Sequence, residues 1–157
     1  MRAWLFILLS MLSFGVVAVA HSPNYSSVTG KWLTFDKKTG KVNSVIFIRP
    51  RGRYVEGKII KIFSVPDVGA IKYCQSCKGS RRNKPILGLT IIKDMHCKNG
   101  RCVDGNILDP RDGKVYHAKM QLIDRGRLLK VRGYVGIPLF GKTVVWKRLI
   151  PKRNVAY

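Results

Sequence analysis

The four cysteines are the residues whose type and spacing best suit chemistry in this chain of 157 residues. Cys74 and Cys77 are separated by two residues, a spacing found in structural disulfides, thiol–disulfide redox centres and halves of metal sites. A redox pair usually lies at a helix N-terminus, whereas this pair lies in a stretch rich in lysine and arginine. Zinc would need two further ligands. We therefore predict a structural disulfide between Cys74 and Cys77, with redox chemistry and a metal site as open alternatives.

The second cysteine pair flanks an Asn-Gly dipeptide, the leading two-residue turn of type I′ hairpins. Such a turn would pair Lys98 with Arg101 by hydrogen bonds and set Cys97 opposite Cys102 at a position without them. Cα atoms at such a position are about 4.5 Å apart, within disulfide range. We predict a second disulfide between Cys97 and Cys102, while pairings exchanged between the two cysteine pairs stay open.

The sequence contains few other groups of residues that could catalyse a reaction. The chain has no nucleophile elbow and no glycine-rich phosphate loop between a strand and a helix. Asp109 and Asp112 are close in sequence, but they occupy a stretch whose composition is typical of turns. We therefore predict no catalytic residue, no metal and no cofactor, and we favour a protein that is not an enzyme.

The N-terminal segment has the composition of a secretory signal. It carries one charge at Arg2, an apolar run from Trp4 to Val19 and an Ala-Val-Ala end. We predict a signal peptide over residues 1–20, cleavage before His21, and an exported protein that is periplasmic or secreted. An uncleaved membrane anchor is the alternative, although the apolar run is short for a spanning helix.

The charge of the chain is strongly positive, with 30 basic residues against 8 acidic ones and a formal net charge of +22. Such a charge attracts polyanions, among them lipopolysaccharide, anionic lipid and nucleic acid. A general basic bias of the proteome is the alternative interpretation. The basic residues are spread along the chain, and no specific nucleic-acid motif is present.

Two alternating segments indicate a pair of half-buried strands. In Val115 to Ile123, Tyr116 shares one face with every second residue, and Leu128 to Val135 alternates in the same way. Asp124-Arg125-Gly126 supplies a tight connection between the two segments.

Further strands are predicted upstream. Val42 to Arg49 and Arg53 to Phe63 are rich in β-branched and aromatic residues, and a Pro-Arg-Gly turn joins them. Gly57 interrupts the second run and marks a bulge or a close backbone approach. Leu87, Leu89 and Ile91 alternate through a further strand. About eight strands at hairpin spacing predict an all-β fold, either a sandwich or a closed barrel.

Two features favour the closed barrel. In lipocalin-like barrels a Gly-x-Trp on the first strand packs near an arginine of the last strand, and this chain has Gly30-Lys31-Trp32 and Arg148 at those places. An indole beneath a guanidinium would close the barrel floor. We predict one antiparallel barrel domain over residues 30–150, preceded by a flexible lead-in at 21–29 and followed by a basic tail at 151–157.

Most of the predicted mature chain resembles an exported bacterial family known as domain of unknown function 2147. The resemblance implies a small lipocalin-like barrel of unassigned activity and supplies no catalytic residues. Cys97 and Cys102 depart from the family pattern. The matching segments are Gly30-Lys31-Trp32, Gly40-Lys41-Val42, Tyr54 to Ile59, Cys74 to Gly79, Pro85 to Leu89, Ile107 to Pro110, Gly113 to Tyr116, Val131 to Tyr134, and Phe140-Gly141 through Trp146-Lys147-Arg148.

A barrel of this size can hold one small ligand, which we expect to be partly apolar, anionic and lipid-like. The predicted ligand contacts are Tyr116 inside the barrel and Arg132 and Tyr134 at its rim. Binding of lipopolysaccharide, anionic lipid or nucleic acid through the surface and thiol redox chemistry at Cys74 and Cys77 are the alternative functions. The long connection from Ser64 to Pro85 is a further candidate segment, with anionic contacts through Lys72, Lys78, Arg81, Arg82 and Lys84.

Overall fold

The computed structural model of the chain describes residues 26–64 and 72–150. The predicted signal peptide, the predicted N-terminus at His21 and the basic tail at 151–157 lie outside the described residues. Within the two described ranges, no helix is long and apolar enough to cross a membrane.

The described residues form a closed antiparallel barrel in which the strands follow one another in chain order. This architecture confirms the predicted fold class. Strand β8 pairs back onto β1 through Trp32 with Arg148 and Leu33 with Lys147, so the sheet has no open edge at this seam. The strands are β1 (Gly30–Phe35), β2 (Val42–Arg51), β3 (Tyr54–Ile62), β4 (Thr90–Lys98), β5 (Arg101–Asp109), β6 (Lys114–Ile123), β7 (Leu128–Tyr134) and β8 (Gly141–Arg148).

Most of the predicted strands are present, and one is shifted. The segments predicted at Val42 and Val115 appear as β2 and β6 with small changes at their ends. The strand predicted through Leu87 and Leu89 is wrong over those residues, because a turn precedes β4. Gly88 has a φ of +85° there, and the amide of Leu89 donates to the carbonyl of Ile86. Leu87 and Leu89 alternate as strand residues do, but the backbone between them turns at Gly88.

Gly57 lies where β3 bends against β4. The register of this strand pair shifts on both sides of Gly57. A Cβ atom at Gly57 would lie 2.9 Å from Cδ1 of Ile92, so the missing side chain is where the isoleucine packs. The glycine therefore marks both the bulge and the close approach that its sequence position indicated.

Side chains that alternate inward from the strands fill the lower half of the barrel. Large side chains buried completely are Trp32, Ile46, Ile48, Ile92, Met95, Leu129 and Val131, drawn from four strands. Burying an aliphatic side chain of this size contributes roughly 1.5–3 kcal/mol relative to leaving it exposed. This layer forms the hydrophobic core of the domain.

Arg148 and Trp32 close the floor beneath this core. The guanidinium of Arg148 lies 4.2 Å from the centre of the Trp32 ring, and only 8% of Arg148 is exposed. Its nitrogens donate to the backbone carbonyls of Ser27, Thr29 and Gly126 at 2.7, 2.7 and 2.8 Å. Among the described residues, one aromatic face and three carbonyl oxygens thus hold this charge.

The last residues of the predicted lead-in belong to this floor. Val28 is buried, and its carbonyl accepts a hydrogen bond of 2.8 Å from the indole nitrogen of Trp32. Gly30 has a φ of +123°, and a Cβ atom there would lie 2.9 Å from the guanidinium of Arg148. Residues 27–29 therefore lie against the barrel rather than leading freely into it.

Glu56 is the one glutamate of the chain, and it is buried on β3 at the floor end. Its carboxylate accepts hydrogen bonds from Arg51 at 2.9 Å and from Arg49 at 2.8 Å, across the β2–β3 hairpin. The hydrogen bond from Arg51 is the largest cause that lowers the pKa of Glu56 below its ordinary value, and the hydrogen bond from Arg49 is the next largest. The carboxylate thereby offsets part of the repulsion among the arginines of this hairpin.

We expect Arg148→Lys to lower the free energy of unfolding by about 3 kcal/mol, because a lysine cannot reach three diverging carbonyls or stack flat on an indole. Urea denaturation measures the change. Lys147→Ala, on the exposed face of the same strand, is the control and should change stability by less than about 0.5 kcal/mol. Equal effects of the two substitutions would contradict the role given to Arg148.

Glu56→Gln should destabilise the protein by about 1 kcal/mol at neutral pH, since the two arginines lose a charged acceptor. The folded-state pKa of Glu56 is lowered, so its contribution is present above the ordinary value of 4.5 and is lost as the pH falls through the folded-state pKa. The stability difference between the variant and the wild type in urea denaturation should therefore shrink as the pH falls from 4.5 through the folded-state pKa of Glu56. Asp104→Asn removes an exposed carboxylate and is the control. Its stability should equal that of the wild type at neutral pH and should stay equal as the pH falls.

Candidate ligand-binding cavity

The upper half of the barrel is hollow. A cavity of about 580 Å³ opens at the end opposite Trp32 and Arg148, where the β1–β2, β3–β4, β5–β6 and β7–β8 connections meet. This volume lies within the usual range of small-molecule sites, which is roughly 300–1,000 Å³. Because the floor is closed by side chains, a ligand would enter and leave through this mouth.

The walls of the cavity are mainly aliphatic. Ile46 and Ile59 face each other across the β2–β3 pair, and Trp146 lies where the cavity meets the core. Ile62, Ile91, Ile107 and Val144 complete the apolar walls. Surfaces of this kind favour a hydrocarbon or aromatic group over a hydrated one.

A small polar patch interrupts the apolar wall between β1 and β2. The hydroxyl of Thr34 donates to the amide oxygen of Asn43, and it lies 2.5 Å from the hydroxyl of Ser44. All three residues line the cavity and are half-buried. The patch satisfies its own hydrogen bonds and still offers donors and acceptors to one polar group of a ligand.

Acidic and basic side chains mark the mouth. Asp109 receives two hydrogen bonds from the guanidinium of Arg111, at 3.0 and 2.6 Å. Burial raises the pKa of Asp109, but the side-chain and backbone hydrogen bonds from Arg111 outweigh burial, so that pKa lies below its ordinary value. Asp109 and Arg111 therefore form an ion pair that fixes the β5–β6 turn.

Tyr116 lies beside this turn and lines the cavity, as its place on the inward face of β6 predicted. Its hydroxyl donates to a carboxylate oxygen of Asp112 at 2.5 Å. That hydrogen bond raises the pKa of Tyr116, so the phenol stays neutral at physiological pH. A neutral phenol hydrogen-bonded to Asp112 acts as a wall and a rim group rather than as a base.

Lys37 and Lys142 bring positive charge to the same mouth. Both line the cavity, Lys37 from the β1–β2 connection and Lys142 from the start of β8. Among the ion pairs of the described residues, none involves either lysine. These two ammonium groups are therefore available to an anionic ligand, and the sequence analysis did not single them out.

Arg132 and Tyr134, the other two predicted ligand contacts, lie on the outer face of β7. Arg132 is outside the cavity lining, and its guanidinium binds the carbonyls of Pro138 and Leu139 in the β7–β8 connection. The ring of Tyr134 packs at 5.7 Å from that of His117 on the neighbouring strand, although Tyr134 also borders the cavity mouth. The structure thus groups only Tyr116 with the inner wall.

The Cys74–Cys77 disulfide is formed and anchors the β3–β4 connection at the mouth. Both cysteines are buried, and Cys74 Sγ lies 3.4 Å from the carbonyl oxygen of Pro110. Gly113 has a φ of +70°, and a Cβ atom there would lie 1.9 Å from the carbonyl oxygen of Ser76. The disulfide loop is therefore packed directly on the β5–β6 turn.

Burial of both sulfurs bears on the redox alternative. Thiol–disulfide exchange needs an attacking thiolate to reach a disulfide sulfur, and reactive cysteines lie in partly exposed surroundings. Cys74 and Cys77 are 0% and 3% exposed. The geometry suits a structural bridge.

The basic residues of the same connection face outward. Lys72, Lys78, Arg82 and Lys84 are exposed, and Arg81 is half-buried within the short 3₁₀ helix Gly79–Arg81. Ile86 follows them and turns inward, where it is buried and lines the cavity. Within residues 72–89, the connection therefore contributes Ile86 to the cavity wall, while Lys72, Lys78, Arg82 and Lys84 are exposed to solvent.

The Cys97–Cys102 disulfide lies at the floor end, far from the cavity mouth. Cys97 pairs with Cys102 and Lys98 with Arg101, as the Asn-Gly turn predicted, and the cysteine Cα atoms are 4.0 Å apart. Asn99 and Gly100 both have positive φ, the requirement of a type I′ turn.

Comparisons with known proteins identify the family. Residues 30–148 match the model of a bacterial family described as DUF2147, "Uncharacterized protein conserved in bacteria". The chain belongs to this family. Its fold is also similar to the solved structure of HP1028 from Helicobacter pylori, which is described as a member of the lipocalin family. The two chains share 19% sequence identity with a TM-score of 0.69, over 82% of this chain and 86% of the other.

At that identity, the similarity to HP1028 supports the lipocalin-like fold and carries no residue roles. No match was found among the curated proteins. The DUF2147 description names no ligand or reaction, so the cavity of this member has to be interpreted from its own residues.

We expect Gly113→Ala to destabilise the protein by about 3 kcal/mol or more, because the added methyl group meets the Ser76 carbonyl in a positive-φ backbone. Gly40→Ala is a matched control, with a φ of +68° and nothing within 4 Å of the added atom. It should show only the backbone strain, about 1–2 kcal/mol. Urea denaturation and proteolysis of the β3–β4 connection measure both effects, and equal losses would argue against the packing described.

Proposed function

We propose that this DUF2147 protein is a non-enzymatic binding protein that holds one small, mostly apolar ligand with an anionic head. The observation that carries the proposal is the cavity of about 580 Å³, aliphatic on its walls, closed at the floor and open at one end. The expected ligand class is fatty-acid-like or lipid-like.

The polarity of the cavity supports this orientation of the ligand. The hydrocarbon part would lie against Ile46, Ile59 and Ile107, because removing apolar surface from water is favourable there. The anionic head would lie at the mouth, where Lys37 and Lys142 supply ammonium groups. The Thr34–Asn43–Ser44 patch suits a neutral polar group such as a hydroxyl further along the chain of the ligand.

The site of action belongs to the proposal as well. Two disulfides suit an oxidising compartment, and the N-terminal signal predicted from the sequence would deliver the chain there. We propose that the protein works in the periplasm or outside the cell. Mass measurement of the protein purified from a periplasmic fraction tests cleavage before His21.

Surface binding of polyanions is the second candidate, and the formal net charge of +22 is the observation that favours it. The two candidates differ in salt dependence. Contacts between an exposed basic surface and a polyanion weaken strongly as ionic strength rises, whereas an apolar ligand inside the barrel should remain bound.

Gly133→Leu should weaken ligand binding by about tenfold or more, because the new side chain would project into the cavity from the inner face of β7. Displacement of a fluorescent fatty-acid probe gives the affinity, and native mass spectrometry after exposure to a lipid extract shows any retained ligand. Unchanged probe affinity would contradict binding in the cavity.

The control for this experiment is Gly133→Ala. Gly133 has an ordinary backbone conformation, and an added Cβ would lie 3.4 Å from Ile107, in normal contact. The alanine should therefore fit and leave probe affinity within about twofold of the wild type. Urea denaturation of both variants separates loss of the cavity from loss of the fold.

A further inference from the structure

The β7–β8 connection presents a cluster of apolar side chains to solvent. Val135, Ile137, Leu139 and Phe140 are 66, 56, 75 and 72% exposed, and we call these four residues the apolar tip. Single exposed hydrophobic residues are common on proteins, but a contiguous group of four in a six-residue loop is characteristic of a contact surface.

Polar contacts fix the shape of this loop without burying the apolar tip. The guanidinium of Arg132 donates to the carbonyls of Pro138 and Leu139, at 2.7 and 3.0 Å, and to the hydroxyl of Thr143 at 2.8 Å. The amide of Phe140 donates to the carbonyl of Ile137 at 3.2 Å. The loop therefore holds its apolar side chains outward in the absence of a partner, so little ordering is needed on binding.

The apolar tip lies at the cavity mouth, where basic side chains of the neighbouring connections accompany Asp36, Asp109 and Asp112. Val135 and Phe140 border the cavity, and Lys142 begins the strand that follows. In the barrel order, the β1–β2 connection adjoins the β7–β8 connection and carries Lys37, Lys38 and Lys41. On the other side, the β5–β6 turn is followed by Lys114.

We propose that the apolar tip inserts into the surface of an anionic lipid bilayer, with the surrounding lysines against the lipid headgroups. Apolar side chains flanked by lysines are the chemistry of proteins that lie on membranes, where acyl-chain contact and attraction to anionic headgroups add. Docking in this way turns the open end of the cavity toward the bilayer. The inference concerns the outer surface and does not require that the cavity hold a ligand.

Charge decides between a bilayer and a second copy of the chain. A symmetric pair formed through the apolar tip would bring the lysine-rich connections of both copies together. At a formal net charge of +22 for each chain, such a pair would be opposed by repulsion. An anionic bilayer instead meets both the apolar tip and its lysines with complementary chemistry.

Co-sedimentation with lipid vesicles tests the proposal. The protein, with its mass verified, is mixed with vesicles of phosphatidylcholine alone or with an equal part of phosphatidylglycerol. We expect binding to the anionic vesicles, and binding about tenfold or more weaker for the double variant Ile137→Ser/Leu139→Ser. Neither substituted residue lines the cavity, so probe binding in the cavity should be unchanged.

The matched control is Ile60→Ser/Val103→Ser, which removes two exposed apolar side chains from the barrel wall. Its vesicle binding should stay within about twofold of the wild type. Equal binding by the wild type and both double variants would mean that charge alone holds the protein, and would overturn insertion. Absence of wild-type binding to anionic vesicles at low salt would overturn it too.

A tryptophan at the apolar tip reports insertion directly. Trp32 and Trp146 are buried, so the emission added by Leu139→Trp comes from an exposed site. We expect this emission to shift to shorter wavelength on anionic vesicles and to stay unchanged on neutral ones.

Sedimentation velocity completes the test. A dimer that Ile137→Ser/Leu139→Ser abolishes, together with an unshifted tryptophan, would assign the apolar tip to self-association instead.

Discussion

The contact between Arg148 and Trp32 is the constraint on which the rest of this structure depends. A guanidinium is costly to bury, and here it is placed under the barrel with an aromatic face and three backbone carbonyls as its partners. Those partners come from β1, the segment before it and the β6–β7 turn, so one side chain joins the beginning and the end of the domain. Because this floor and the packed layer above it supply the core, the upper half of the barrel can remain hollow.

The two halves of the barrel place different demands on their residues. Near the floor, close contacts require particular residues, as between Gly57 and Ile92 or between Gly30 and Arg148. Near the mouth, the strands end in connections rich in lysine, and polar contacts such as the Asp109–Arg111 ion pair accompany the close packing of Gly113 on Ser76. Each disulfide serves one half, with Cys97–Cys102 bracing a floor hairpin and Cys74–Cys77 holding the β3–β4 connection at the mouth.

Sequence reasoning succeeded where local chemistry determines structure. Alternation predicted β6 and β7, the Asn-Gly turn predicted the Cys97–Cys102 pairing, and the Gly-x-Trp motif led to Arg148. It failed at Leu87, where alternating leucines belong to a turn. Thr34 and Ser44 could have been found as cavity residues, since each is two positions from a buried residue on the same strand. Lys142 could have been found in the same way, since it lies on the same face of β8 as the buried Trp146. Lys37 could not, because its proximity to the cavity depends on how the β1–β2 connection folds at the mouth.

The role of Arg132 shows why residue type alone misleads at such a mouth. An arginine on a strand near the rim resembles a ligand contact, yet its donors are used by the carbonyls of the β7–β8 connection. Because these hydrogen bonds fix the carbonyls of Pro138 and Leu139, the loop can keep its four apolar side chains in solvent without collapsing onto the cavity. A flexible loop of the same composition would be expected to fold inward and fill the apolar space beneath it. By holding the loop, Arg132 therefore keeps the cavity open and the apolar tip exposed at once.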